Sequence, residues 1–190
     1  MSIDVGAIIE KLKSFSTPEL CDGLGMFHAM HYSMKPLFSK GTIVGRAVTI
    51  DLPTGSSKIV NEVIATLKSG DVLVVAARGN CESACWGDFR STLAKKRNAT
   101  AAVLDGAARD LRAMEAIGFP VFARGICCGA DLKVGNGAWN VPVSCANVVV
   151  YPGDIVVGDE NGVIVMKPEE AEAAMEKALK KRLAEAELMG

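Results

Sequence analysis

Aromatic side chains make up only 5% of this 190-residue chain, and neither charge sign dominates, with 21 Lys and Arg against 22 Asp and Glu for a formal net charge of −1. Base stacking therefore has little to work with. Nothing draws the chain as a whole toward phosphate backbones or anionic lipid, so no nucleic-acid partner and no membrane partner is expected. The longest strictly apolar run, Val72–Ala77, falls far short of the roughly 20 residues that cross a bilayer. There is no G-x-G-x-x-G or Walker pattern, which argues against dinucleotide and nucleoside-triphosphate chemistry and leaves a methyltransferase without its glycine-rich cofactor loop. The start, MSIDVGAIIEKLKS, has neither the basic opening nor the apolar core of a secretion signal. Six cysteines without such a signal point to a reducing compartment in which thiols stay free, and the expected location is cytoplasmic.

With 49% hydrophobic and 23% charged residues, the composition is that of a packed globule rather than a disordered chain. A chain of this length buries about 70% of its unfolded surface, and a single domain over 1–190 is expected. Short N-terminal helices over 2–24 follow from the spacing of Ile3, Ile8, Ile9 and Leu12 and from Ser16-Thr17-Pro18-Glu19, a capping box with proline early in its helix. An α/β core over 41–166 begins with a β-branched strand at Thr42–Leu52. A helix over Ser57–Leu67 stops at Ser69-Gly70, and DVLVVAARG follows as a buried strand. The order then repeats: a loop at 80–86, a helix from Asp88, the strand AAVLDG, and the helix RDLRAMEAIG. Beyond Val121–Ala123 the glycines at 125, 129, 135 and 137 break the pattern, and short strands are expected at Val148–Val150, Ile155–Val157 and Val163–Val165. A C-terminal helix over 168–188 carries a stripe of Met175, Leu179, Leu183 and Ala186.

Parallel strands joined by helices deliver their following loops to one sheet edge, where ligands of open α/β sheets collect. The loops at 78–88 and 105–110 should therefore be neighbours. The first brings Gly87 and Asp88, and the second brings Asp105-Gly106 and Arg109-Asp110. Backbone N–H groups of Phe89 and Arg90, at a helix start, favour a carboxylate. The planar fork of Arg109 adds a bidentate grip. Asp110 suits a hard divalent cation, which takes oxygen ligands and often needs only one or two carboxylates. The same acids can equally serve as helix N-caps and an ion pair.

Other features have plainer readings. Cys81-x₃-Cys85 with Cys127-Cys128 matches no common zinc spacing, and free thiols are expected. His28 and His31, the only histidines, are read as packing on or beside the core rather than as a metal pair. Lys95-Lys96-Arg97 reads as an exposed helix end, and no lysine stands out as a Schiff-base nucleophile.

The segment WGDFRSTLAKKRNATAAVLDGAARDLRAMEAIGFPVFARG, with STPELCDGLG at 16–25, GRAVTIDLP at 45–53 and YPGDIVVGDENGVIVM at 151–166, resembles the class II 4-hydroxy-4-methyl-2-oxoglutarate aldolases. That RraA-like family includes the regulator of ribonuclease activity A proteins. The resemblance covers nearly the whole chain. It implies a three-layer β/β/α swivelling-type α/β fold, assembled as a homotrimer or a hexamer, with an acidic residue supplied by a neighbouring subunit. Glu185 and Glu187 are candidates for that acid, and also fit a solvated helix face. For the site it implies that Arg109 grips a 2-oxo acid, that Asp110 holds the divalent metal, Mg²⁺ or Mn²⁺, and that Gly87, Asp88, Phe89 and Arg90 bind the substrate, with Asp88 and Arg109 as the catalytic side chains.

The implied chemistry is that of a lyase. A metal-stabilised enolate serves both cleavage of 4-hydroxy-4-methyl-2-oxoglutarate to pyruvate and decarboxylation of oxaloacetate. The family pattern has an acid three positions after the Asp of Arg-Asp. Here that position is Ala113, with Glu115 two residues on. Only aldol cleavage needs a base for the 4-hydroxyl, so decarboxylation is expected to survive better. The branch of ribonuclease regulators implies the alternative, a non-catalytic protein-binding role.

Overall fold

The computed structural model describes residues 3–38 and 41–189. Two short helices come first, α1 (Val5–Leu12) and α2 (Thr17–Leu24), then a 3-10 turn at Met26–His28 and β1 (Lys35–Pro36). The expected helix start at residue 2 lies outside the described residues. Glu19 accepts the Ser16 backbone N–H and its hydroxyl, both at 2.8 Å, which is the reaching-back half of the expected capping box. The core runs β2 (Ile43–Asp51), α3 (Val60–Thr66), β3 (Asp71–Trp86), α4 (Asp88–Lys96), β4 (Ala101–Ala108), α5 (Leu111–Ile117) and β5 (Val121–Ile126). After it come β6 (Ala138–Trp139), β7 (Val143–Cys145), β8 (Val148–Val150), β9 (Ile155–Asp159), β10 (Gly162–Met166) and α6 (Pro168–Met189).

Strands β2 to β5 pair in parallel through the crossover helices, and antiparallel β9 and β10 extend the β2 edge, giving the order β1-β5-β4-β3-β2-β9-β10 with β6 added on β2. The two ends of this sheet approach each other. Lys35 on β1 donates to the Asn161 carbonyl beside β10, and Phe122 of β5 lies against Gly158 of β9. The result is a nearly closed, barrel-like sheet within a mixed α/β fold.

The period of two along the strands sorts their side chains into layers. Leu73, Val75, Ala102, Leu104 and Val121 face Val63, Ile64 and Met114 of the crossover helices. Val72, Val74, Ala101 and Val103 face the small β7–β8 sheet through Val143, Cys145, Val148 and Val150. A third cluster joins α1, α2 and α6 to β9 and β10. Helix, sheet and small sheet make the three layers expected. Gly118 in the left-handed region (φ 68°) ends α5 and lets its N–H return to the Met114 and Glu115 carbonyls, both at 3.0 Å.

Two features differ from the sequence reading. Residues 80–86, expected as a loop, remain strand. Left-handed Arg78 and Gly79 start a bulged stretch that skips residues yet keeps Asn80 paired with Gly106, Ala84 with Ala107 and Trp86 with Ala108. The stripe on α6 is buried only in its first half, through Ala171, Ala174, Met175 and Ala178, whereas Leu179 and Leu183 are exposed. Among the described residues no helix is long and apolar enough to cross a membrane.

Candidate active site

Trp86 ends β3, Gly87 caps α4 and Asp88 begins it. The buried Trp86 indole donates to Ser91 Oγ at 2.8 Å and stacks on Phe119 with ring centroids 6.3 Å apart, fixing the first turn of α4 to the core. Trp86 pairs with Ala108 at the end of β4, and the next N–H, that of Arg109, donates to the Trp86 carbonyl at 3.1 Å. The two loops expected to be neighbours are thus side by side. Gly87, Asp88, Phe89, Arg90, Arg109 and Asp110 all line one cavity of about 210 Å³.

Asp110 is the N-cap of α5, yet its side chain makes no capping bond, and its backbone is left-handed at φ 62°, ψ 36°. A non-glycine residue held there carries strain of the kind that functional sites retain. Its carboxylate instead lies with Oδ2 3.4 Å from Arg109 Nε. Gly87 provides the room. A Cβ at residue 87 would sit 2.6 Å from Asp110 Oδ2, inside any real contact distance, although the φ of −170° is open to every residue.

Asp110 therefore suits a hard divalent cation, as an oxygen donor free of helix capping and seated over a place that any side chain at 87 would fill. Among the described residues no three or more His, Cys, Asp or Glu gather closely enough to hold a metal ion. The chain itself offers one or two carboxylates, the sparse set that Mg²⁺ accepts when water and substrate supply its other ligands.

The first turn of α4 is more occupied than its sequence indicates. The Phe89 N–H donates to Asp88 Oδ1 at 2.6 Å, and the Phe89 ring stands exposed beside the cavity. Arg90 spends its guanidinium on protein acceptors: Nε on Asn61 Oδ1 at 2.9 Å, one terminal nitrogen on the Ser57 carbonyl at 2.7 Å, the other on the Cys85 carbonyl. Burial lowers the Arg90 pKa, and the positive charge of Arg109 adds to that, while Asp131 opposes it. Arg90 thus contributes a fixed positive charge.

Ser57, Asn61, Trp86, Asp131 and Lys133 also line the cavity, and sequence reasoning did not single them out. The segment carrying Asp131 and Lys133 is stitched between two others. Ala84 donates to the Gly129 carbonyl at 2.8 Å, Asp131 to that of Ala84 at 3.0 Å and Ser57 to that of Leu132 at 3.1 Å. The available signal was a glycine-punctuated connection that carries both an acid and a base.

The remaining candidates fall elsewhere. His28 Nδ1 pairs with the Val165 carbonyl and His31 Nδ1 with Ser33 Oγ, each at 2.8 Å, so both rings serve local structure. All six cysteines are free, and burial pushes the Cys85 thiol up to about 12. Lys95 donates to the Ile117 carbonyl at the end of α5.

A family model described as RraA-like, Aldolase/RraA, matches residues 17–165. A protein of Halalkalibacterium halodurans provisionally named 4-hydroxy-4-methyl-2-oxoglutarate aldolase is 37% identical over 174 residues, covering 92% of this chain and 83% of its own. One of the same provisional name from Vibrio cholerae is 31% identical, covering 78% and 92%. The crystal structure of Streptomyces coelicolor RraAS2, described as an unusual member of the RNase ES inhibitor RraA protein family, superposes with a TM-score of 0.84 at 26% identity, covering 95% of this chain and 94% of that one.

Proposed function

The chain belongs to the RraA-like family, and from that premise we propose that it is a divalent-metal-dependent lyase of small 2-oxo acids. It cleaves 4-hydroxy-4-methyl-2-oxoglutarate-type substrates to pyruvate and a second oxo acid, and decarboxylates oxaloacetate to pyruvate. The observation that carries this reading is the meeting of Arg109 and Asp110 at one cavity, with the Asp110 carboxylate over the bare Cα of Gly87. Arg109, its side chain 44% exposed, presents its fork to the substrate carboxylate. The first-turn N–H groups at Phe89 and Arg90 face the same anion, that of Phe89 exchanging its bond to Asp88 for one to substrate. Asp110 holds Mg²⁺ or Mn²⁺, which when bound supplies Lewis-acid stabilisation of the charge developing on the ketone oxygen. Asp88 completes the acidic side of the cavity. Lys133 is exposed and so lacks the desolvation that a Schiff-base lysine needs. It acts as a cation for a second carboxylate. The assembly is a homotrimer or a hexamer, and the exposed Ile126, Leu132 and Val134 provide apolar surface for it.

The test is pyruvate release from both substrates, with Mg²⁺ or with EDTA, by the wild type and Asp110→Ala. Turnover should require the metal and fall about 100-fold or more in the variant. Turnover that survives both treatments overturns the reading. The likeness to the Streptomyces inhibitor-family protein favours one other reading, a non-catalytic regulator that binds a ribonuclease. Absence of pyruvate from both substrates in the presence of Mg²⁺ would select it.

A further inference from the structure

Resting on that reading, we propose that Asp131 is the catalytic residue that accepts the 4-hydroxyl proton in carbon–carbon cleavage, the role for which Ala113 leaves no side chain. Ala113 is exposed on α5, and Glu115 does not replace it, because Glu115 lines a separate groove with Phe38, Gly118 and Pro120. Three carboxylates line the candidate site: Asp110 lies beside Arg109, Asp88 opens α4 with its Oδ1 on the adjacent Phe89 N–H at 2.6 Å, and Asp131 comes from a separate segment. Asp131 is the buried one, 9% exposed. Its Oδ1 accepts the Ser83 hydroxyl, which itself accepts from Asn80 Nδ2 at 3.0 Å. Its Oδ2 has no hydrogen-bond partner among the described residues. One oxygen is thus oriented by a relay anchored in the bulged end of β3, and the other is left without a partner on a residue that lines the cavity together with Arg109 and Asp110.

The step balances without a co-reactant. Asp131 Oδ2 takes the proton from the hydroxyl on C4, and the C4–O bond becomes a carbonyl as the C3–C4 bond breaks. The electron pair passes to C3 of the pyruvate half, and the Asp131 carboxylic acid returns the proton to C3 to form the methyl group. Decarboxylation of oxaloacetate has no hydroxyl to deprotonate, so Asp131 gains no proton; CO₂ leaves with the C3–C4 bond broken, C3 takes its proton from solvent water, and neither half of this cycle is called on.

The experiment measures both reactions in wild type, Asp131→Asn and Asp88→Asn, together with the Mg²⁺-dependent rise in Tm produced by oxalate. Asp131→Asn keeps the shape and the bond from Ser83. It should lower aldol cleavage about 100-fold or more, leave decarboxylation within about threefold, and leave the oxalate-induced rise in Tm unchanged. Ser83→Ala, which frees Oδ1, should lower aldol cleavage about tenfold in the same selective way and keeps the test open if Asp131→Asn does not fold. Equal loss of both reactions, no loss of either, or selective loss in Asp88→Asn instead would overturn the assignment. A wild type that decarboxylates but does not cleave the hydroxy acid would also overturn it and would leave the lyase reading standing. A wild type with neither activity would overturn the lyase reading itself.

Discussion

Of two arginine–aspartate pairs on the β4 side of the sheet, Arg124–Asp105 is closed and Arg109–Asp110 is open. Arg124 of β5 and Asp105 of β4 are in ion-pair contact with side chains 20% and 6% exposed, whereas Arg109 and Asp110 are 44% and 39% exposed and meet at 3.4 Å. The closed pair joins two strands, so the charges can approach each other fully. Burial and the nearby Asp105 both raise the pKa of the Cys145 thiol. In the open pair the two residues are adjacent in sequence, and the left-handed backbone of Asp110 holds its carboxylate beside Arg109 Nε. The same chemistry is structural where the two charges are buried against each other and available for ligands where both stay partly exposed.

Exchanging the two arginines for methionine breaks the comparison most directly. Arg109→Met should lower pyruvate release about 100-fold or more, or about 3 kcal/mol at 1.4 kcal/mol per tenfold, with stability changed by only about 0.5 kcal/mol, as for an exposed pair. Arg124→Met strands a buried carboxylate and should cost about 3 kcal/mol, seen as a Tm lower by roughly 6–12 °C for a chain of this size. Thermal melts of both variants beside activity assays decide the matter. If Arg109→Met lowers Tm as far as Arg124→Met does, the open pair is structural.

Gly87→Ala sharpens the same contrast with one methyl group. The backbone at 87 accepts alanine, but the new Cβ would lie 2.6 Å from Asp110 Oδ2 and must displace it. The expected result is a loss of about tenfold to 100-fold in metal-dependent turnover and in the Mg²⁺-dependent Tm rise with oxalate, with the Tm of the protein alone nearly unchanged. Full turnover in Gly87→Ala would show that the carboxylate position does not matter.

The crossover order of strands and helices and the adjacency of Gly87-Asp88 to Arg109-Asp110 were legible in the sequence, because period-two and helical spacings are local and parallel topology then dictates which loops meet. The fate of Arg90 was not. Its engagement by Asn61 and by the carbonyls of Ser57 and Cys85 depends on α3 and on a turn some 30 residues away, and no local pattern announces it. The same holds for Asp131 and Lys133, which reach the cavity through backbone bonds from Ala84 and Ser57. The strand character of 80–86 was hidden because a bulge lets a polar stretch stay paired while its side chains leave the alternation.

Another arginine–carboxylate pair, between those two in exposure, sets the smallest effect. Arg182 of α6 donates to Glu19 of α2 at 2.6 Å and to the Ser14 carbonyl at 3.1 Å, and its guanidinium lies 4.7 Å from the centre of the Phe15 ring. The bond from Arg182 lowers the Glu19 pKa to about 2 from an ordinary 4.5; burial opposes the shift, and the Ser16 N–H and hydroxyl reinforce it. A carboxylate with a depressed folded-state pKa stabilises the fold fully above its unfolded value and loses that contribution as pH falls through the folded one. Glu19→Gln should therefore lower Tm at pH 7 by a small amount, worth under about 1 kcal/mol at so exposed a site. The difference from wild type should shrink between pH 4.5 and pH 2. A gap that stays constant over that range would mean that Glu19 stabilises α2 through its shape and backbone bond rather than through its charge.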